Sequence, residues 1–196
     1  MENLSQNPIE ITLKWLEEAK NESRITEPTA MSLATSTKDG IPSVRMVLLK
    51  GLDERGFVFY TNLGSRKASE LKENPKAALC LYWMLLERQV RVEGKIEEVA
   101  ATEADEYFAT RHRDSQIGAW ASKQSQVLEE KVDLLQNISE RMAEFEGRGV
   151  PRPDFWSGFR VVPDKIEIWQ QGDFRLHERR LFTHVAEGWK SVLLYP

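Results

Sequence analysis

Arg66 and Lys67 occupy the first turn of the helix that SRKASELKEN predicts, a helix ended by Asn74-Pro75. The unpaired N–H groups of a helix start already carry partial positive charge, so two cations there are unfavourable unless an anion joins them. A phosphate would accept backbone N–H bonds and charge-assisted side-chain bonds together. The alternative is a pair of solvated surface charges costing about 0.3–1 kcal/mol each. A second concentration of charge lies in FRLHERR, where a strand period of two puts Arg175, His177 and Arg179 on one face and Leu176 and Glu178 on the other. Such a face suits an electron-rich ligand, with Trp169 and Phe174 flanking it; an exposed edge strand blunted by charge is the other reading.

Other polar positions have weaker patterns. Arg45 and Lys50 flank the apolar run MVLL, and their separation of five sends them to opposite faces of a regular strand, so joint action requires a bend. Gln89, Arg91 and Glu93 alternate with Val90 and Val92, giving that strand one polar and one core face. RHRDSQIGAWASKQS gathers Arg111, Arg113, Ser115, Lys123, Gln124 and Ser125 among few apolar residues, which reads as a loop, either functional or simply solvated. His112 and His184 lack metal-ligand neighbours at helical or hairpin spacing, and Cys80 within AALCLYW reads as a buried, inert thiol. No Gly-x-Ser-x-Gly elbow, GxGxxG or Walker sequence is present.

The elements that must position these residues are short strands with a few helices. Ile9, Leu13, Leu16 and Ala19 recur at helical spacing between Pro8 and Arg24. AMSLAT, PSVRMVLLKGL and FVFYT then read as three antiparallel strands, and KAALCLYW and RQVRVEGKIEEV as two more. TEADEYFATR and a segment starting at a Ser125 N-cap, with Glu129 and Glu130 in its first turns, read as helices. After the GRGVPRP break, FWSGFRVV to WKSVLLYP returns to strands that rejoin the first sheet. The fold class is mainly β with peripheral helices (α+β), an antiparallel barrel rather than a doubly wound sheet. A helical segment over 1–27 packs on one barrel domain over 28–196.

Composition sets the outer limits. The 196 residues are 41% apolar and 30% charged with a net charge of −4, a globular balance that gives no overall electrostatic case for nucleic acid. One cysteine precludes an internal disulfide and a cysteine-rich zinc site, no other metal site is expected, and neither a secretory signal nor an apolar membrane span is visible. A cytoplasmic location is expected.

Taken in order, RMVLLK, FVFYTNLGSRKA, ERQVRVEGK, RDSQIGAWASKQS, and FWSGFR followed by IEIWQ and RLHER resemble the pyridoxine (pyridoxamine) 5′-phosphate oxidase family, from about Pro28 to the C-terminus. Ile168 stands where that family usually has an aromatic residue, and the Arg/Lys-rich, tyrosine-bearing segment that often precedes the first helix is not recognisable in MENLSQNPIE. The resemblance implies an FMN-binding split β-barrel and a homodimer with FMN at the interface. It implies that Arg45, Met46, Val47, Leu48, Leu49 and Lys50 bind FMN, together with Tyr60, Thr61, Arg66, Lys67 and Gln89 of the same chain. Gln124, Ser125, Trp169 and Arg179 are implied to complete that site, partly from the partner chain. Lys50, Tyr107, Arg111 and Ser115 are implied to grip the substrate phosphate. Arg175 and His177, with Leu176 between them, are implied to lie beside the pyridine ring as the catalytic pair.

The implied reaction oxidises C4′ of pyridoxine or pyridoxamine 5′-phosphate to pyridoxal 5′-phosphate. FMN takes the hydride and dioxygen becomes hydrogen peroxide. Two rivals remain at this level: a related flavin oxidase acting on another substrate, such as a phenazine precursor, and a noncatalytic flavin- or pyridoxal-phosphate-binding protein.

Overall fold

The chain begins its described structure with a capped helix. In the computed structural model, which describes residues 7–196, the Asn7 side chain accepts from the Ile9 N–H (2.9 Å). Pro8 takes the first helical position, where a missing N–H costs nothing. This helix, α1 (Pro8–Asn21), buries Ile9, Ile11, Trp15, Leu16 and Ala19. Leu13, expected on that face, is 41% exposed, because the apolar stripe runs through Trp15 instead.

Nine strands follow, all antiparallel: β1 (Ala30–Ser36), β2 (Pro42–Leu48), β3 (Gly51–Asp53), β4 (Gly56–Asn62), β5 (Lys76–Trp83), β6 (Arg88–Glu98), β7 (Trp156–Gln170), β8 (Glu178–Val185) and β9 (Gly188–Leu194). They form one sheet in the order β2-β1-β5-β6-β7-β4-β3, with β8 and β9 continuing from the second half of β7. Four further helices are α2 (Arg66–Glu73), α3 (Ala101–Thr110), α4 (Arg113–Ala121) and α5 (Lys131–Glu144). The last strands do rejoin the first sheet, as their composition predicts.

The curl of this sheet has local causes. Strand β7 shares one long edge with β6, while its other edge is divided between β4 (57–62 against 156–161) and β8 (178–183 against 165–170). At the bend the β6–β7 register shifts between Glu93 and Gly94, beside Pro163. A Cβ on Gly94 would lie 2.1 Å from the Val162 carbonyl oxygen, so only glycine admits this approach. PSVRMVLLKGL is two strands rather than one. At Leu49–Lys50 the chain leaves β2, at one end of the sheet order, for β3, at the other, with Leu49 N–H donating to Thr29 O and Lys50 N–H to Val58 O (both 2.8 Å). That corner closes a half-barrel around Leu33, Phe57, Phe59, Leu79, Val92 and Ile166.

Three further expectations change. The loop expected at RHRDSQIGAWASKQS contains α4, whose inner face is Ile117, Ala121 and Gln116, the last donating to Phe108 O (2.8 Å). Helix α5 starts at Lys131 instead of Ser125; Ser125 has a left-handed φ of 71°. The strand expected from Arg175 starts only at Glu178. Asp173–Arg175 is a helical turn in which Phe174 and Arg175 have φ of 54° and 65°, so Arg175, His177 and Arg179 do not alternate on one regular strand face. Residues 1–6, which include most of the MENLSQNPIE segment, lie outside the described structure.

Candidate active site

A cleft of about 900 Å³ opens between the outer strand β2, the end of β4, and helices α2, α3 and α4. Its positioning begins with anchors on α3. Arg160, buried in β7, donates to Asp53 (3.1 Å) and Glu103 (2.8 Å), and Arg152 donates to Asp105 (2.7 Å). These pairs hold α3 so that Tyr107 and Arg111 face the cleft, and Phe108 packs with Ile117 and Trp156 beneath it. Tyr60 stacks on Tyr107 (ring centroids 4.0 Å, 11°), and the Trp156 ring runs nearly parallel to both (5.3 Å from Tyr60 and 6.2 Å from Tyr107). Burial pushes the Tyr60 hydroxyl up to about 12, so it remains protonated across the neutral range.

At one side of the cleft, α2 begins. Ser65 caps it without a side-chain bond to the backbone, leaving the N–H groups of the first turn to other acceptors. Lys67, 8% exposed, donates from Nζ to Gln124 Oε1 (2.9 Å), Thr61 Oγ1 (3.1 Å) and Ser65 Oγ (3.4 Å). All three are neutral oxygens. Burial, with the Arg45 charge adding to it, lowers the ammonium to about 8. Arg45 and Arg66 differ: both bond Glu70, Arg45 from Nη2 (3.3 Å) and Arg66 from Nε (2.8 Å).

A second cation lies at the end of α3. The Arg111 guanidinium stands over Trp156 (4.8 Å) and Phe108 (5.4 Å), and its buried Nη1 has no hydrogen-bond partner among the described residues. Burial disfavours its charged form. Lys50 and Ser115 line the same cleft. The bend at Leu49–Lys50 therefore lets Arg45 and Lys50 face one space despite their odd separation. A buried ammonium and a buried guanidinium nitrogen, neither paired with a carboxylate among the described residues, fit anionic oxygens such as those of phosphate groups.

Of the sequence-predicted site residues, Arg45, Met46, Val47, Leu48, Lys50, Tyr60, Thr61, Arg66 and Lys67 border this cleft, as do Tyr107, Arg111, Ser115, Gln124 and Ser125. Leu49 is buried in the core instead. Gln89, Trp169, Arg175, Leu176, His177 and Arg179 do not line it. They gather on β6, β7, the following turn and β8: Gln89 pairs with Trp169 across strands, Trp169 with Arg179, and the His177 ring lies 4.7 Å from Trp169. Arg179 Nε donates to Glu167 (2.8 Å), and Arg91 donates to the same carboxylate (3.2 Å), so the like charges of this face share a counter-ion. Glu70 and Trp156 were not singled out by sequence reasoning. For Glu70 the available signal was its i, i+4 spacing from Arg66.

Lys67 makes the site pH-dependent. Its charged form is favoured less in the folded chain than in the unfolded one, so its unfavourable contribution to stability is complete below pH 8 and is relieved as pH rises from about 8 toward its ordinary 10.5. Affinity for a phosphate-bearing ligand is expected to fall over the same rise, as the ammonium deprotonates. Titrating binding at pH 7 and pH 9 checks this; equal affinity at both would contradict it.

A curled antiparallel half-barrel with a cation-lined cleft against its helices defines a split-barrel protein. The family description "Pyridoxamine 5′-phosphate oxidase" matches residues 17–141, and "Pyridoxine 5′-phosphate oxidase C-terminal dimerisation region" matches 156–196. A pyridoxine/pyridoxamine 5′-phosphate oxidase of Rubrobacter xylanophilus is 53% identical over 190 residues, covering 97% of this chain and 87% of that one. Another, from Zymomonas mobilis, is 50% identical over 193 residues, covering 98% and 100%. The crystal structure of PhzG from Burkholderia lata, in complex with tetrahydrophenazine-1-carboxylic acid, superposes with a TM-score of 0.93 at 32% identity, covering 100% of this chain and 95% of that one. The chain belongs to the pyridoxine/pyridoxamine 5′-phosphate oxidase family, whose curated members named here are oxidoreductases. Among the described residues, no helix is long and apolar enough to cross a membrane.

Proposed function

We propose that the chain is an FMN-dependent oxidase that converts pyridoxine 5′-phosphate and pyridoxamine 5′-phosphate to pyridoxal 5′-phosphate, working as a homodimer in the cytoplasm. The observation that carries this reading is the pair of cationic groups in one cleft, Lys67 at the start of α2 and Arg111 at the end of α3, each without a carboxylate partner among the described residues. One suits the cofactor phosphate and the other the substrate phosphate. FMN, when bound, supplies the hydride acceptor, with dioxygen as the final oxidant and hydrogen peroxide as product.

The chain's own residues bind and orient. Lys67, Arg66, Arg45 and the N–H groups of α2 hold the cofactor phosphate, with Thr61 and Gln124 positioning the Lys67 ammonium. Arg111, Lys50, Ser115 and Tyr107 hold the substrate phosphate, so binding energy remote from C4′ orients the ring. In the homodimer, the face bearing Gln89, Trp169, Arg179, Arg175 and His177 covers the cleft of the second protomer; the match of 156–196 to a dimerisation region supports this arrangement. There Arg175 steers C4′ and its charge favours loss of the alcohol or amine proton, while His177 holds the ring substituents. Replacing Arg111 by alanine is expected to raise KM by about 10–100-fold with little change in kcat, because ground-state anchoring is lost. Steady-state kinetics with pyridoxine 5′-phosphate check this, and an unchanged KM removes Arg111 from the phosphate grip.

The likeness to PhzG favours a second reading, an oxidase of a phenazine precursor. Purified protein supplied with pyridoxine 5′-phosphate and with unphosphorylated pyridoxine separates the two. Peroxide release with the phosphate ester alone supports the first reading, and none with either ester or vitamin sinks it.

A further inference from the structure

Glu70 is an unusual residue to find directly behind a cleft proposed to hold a phosphate, in contact with Ser43, Arg45 and Arg66 of its lining. It is 4% exposed, and three elements converge on its carboxylate. From β1, the Thr35 hydroxyl donates to Oε2. From β2, Ser43 Oγ (2.6 Å) and Arg45 Nη2 (3.3 Å) donate to the same oxygen. From its own helix, Arg66 Nε donates to Oε1 (2.8 Å). Burial alone would raise this carboxyl, but the hydrogen bonds from Ser43, Thr35 and Arg66 hold it down at about 2, so it is ionised at neutral pH.

The pattern of these bonds matters more than their number. Arg66 is held by Nε, and no bond engages its two terminal nitrogens among the described residues, which leaves the end of the fork for bidentate contact with a tetrahedral anion. Arg45 is fixed by Nη1 on Leu33 O (3.1 Å) and Thr35 Oγ1 (2.6 Å) and by Nη2 on Ser43 and Glu70. Arg45 is thus fixed, and Arg66 tethered at Nε, before any ligand arrives, which lowers the entropy lost on binding. The charge also fits: Arg45, Arg66 and Lys67 with Glu70 leave two net positive charges, the complement of a phosphate dianion. Without the carboxylate, three cations would crowd the start of α2 when no ligand is bound.

We infer that Glu70 is a positioning residue for the phosphate site at the start of α2: it aims the guanidiniums of Arg45 and Arg66 and brings the local charge to that of a dianion. The inference rests on the proposed FMN reading. It is distinct from the direct ligands, because Glu70 itself repels a phosphate and acts only through the two arginines.

The test compares FMN with riboflavin, which lacks the phosphate, by titrating the flavin-stripped full chain and following flavin fluorescence. Glu70→Ala is expected to raise the Kd for FMN about tenfold or more while leaving that for riboflavin within about twofold. Glu70→Asp keeps the charge and folds with less risk, yet withdraws the carboxylate from Arg66 by one methylene; it should weaken FMN selectively by a smaller factor. Glu70→Gln keeps an amide oxygen for Arg66 but removes the charge and sets an NH₂ against the Arg45 donor, so it should weaken FMN by less than Glu70→Ala, with riboflavin again within about twofold. An unchanged FMN Kd in both Glu70→Ala and Glu70→Asp overturns the inference, as does an equal loss of FMN and riboflavin, the signature of a merely structural role. An unmodified chain that binds neither flavin fails the underlying reading instead, so the two failures are separable.

Discussion

Replacing Arg175 by alanine is expected to lower kcat by about 100-fold or more while flavin remains bound, since a charge aimed at the reacting centre contributes most in the transition state. The backbone supports this assignment. Phe174 and Arg175 are successive non-glycine residues with left-handed φ, a conformation costing on the order of 1–3 kcal/mol per residue, and Phe174 is 93% exposed within the single protomer. No burial of the Phe174 side chain within that protomer offsets the strain. Arg175 is itself exposed in the single protomer, which leaves it available to the second protomer in the proposed dimer. Single-turnover reduction of the holoenzyme measures the effect without interference from product release. Unaltered turnover with weakened flavin retention would show that Arg175 holds the cofactor and takes no part in the chemistry.

Lys67→Met should have two opposite effects. Affinity for FMN is expected to fall about 100-fold, because a charge-assisted bond to phosphate in a buried setting contributes roughly 1.5–3 kcal/mol. The flavin-free chain should nevertheless become more stable, with Tm raised by about 3 °C, because an ammonium lowered to about 8 by burial opposes folding at neutral pH. Calorimetry of the stripped variant and flavin titration read the two effects separately. A drop in both stability and affinity would mean that Lys67 is a structural residue of α2.

The features legible in sequence were those with a local signature. Alternation in β5 and β6 and the helical period of α1 came through because each buries one face. The charge at Arg66 and Lys67 stood out because a helix start opposes cations. Helix α4 was hidden because only Ile117 and Ala121 supply its apolar inner face, while Gln116 is buried through a side-chain bond to Phe108 O that no pattern announces. The division of PSVRMVLLKGL was hidden because the apolar run MVLL continues to the corner at Leu49 with no turn residue before it, and β2 and β3 differ in their distant partners. Phe174 and Arg175 lack the glycine or asparagine that would have signalled left-handed backbone, so FRLHERR read as a regular strand. Glu70 passed as an ordinary i, i+4 partner on a helix surface, since nothing local indicates that Thr35 and Ser43 converge on it.

The central claim is that one cleft aligns a flavin with a phosphorylated B6 vitamer. Its most direct test is anaerobic addition of pyridoxine or pyridoxamine 5′-phosphate to the purified holoprotein, followed by its visible spectrum. Loss of the oxidised-flavin absorbance, with its return and one hydrogen peroxide per pyridoxal 5′-phosphate on admitting air, is the expected result. A spectrum that stays unchanged with both esters, or a purified protein that takes up no flavin, would contradict it.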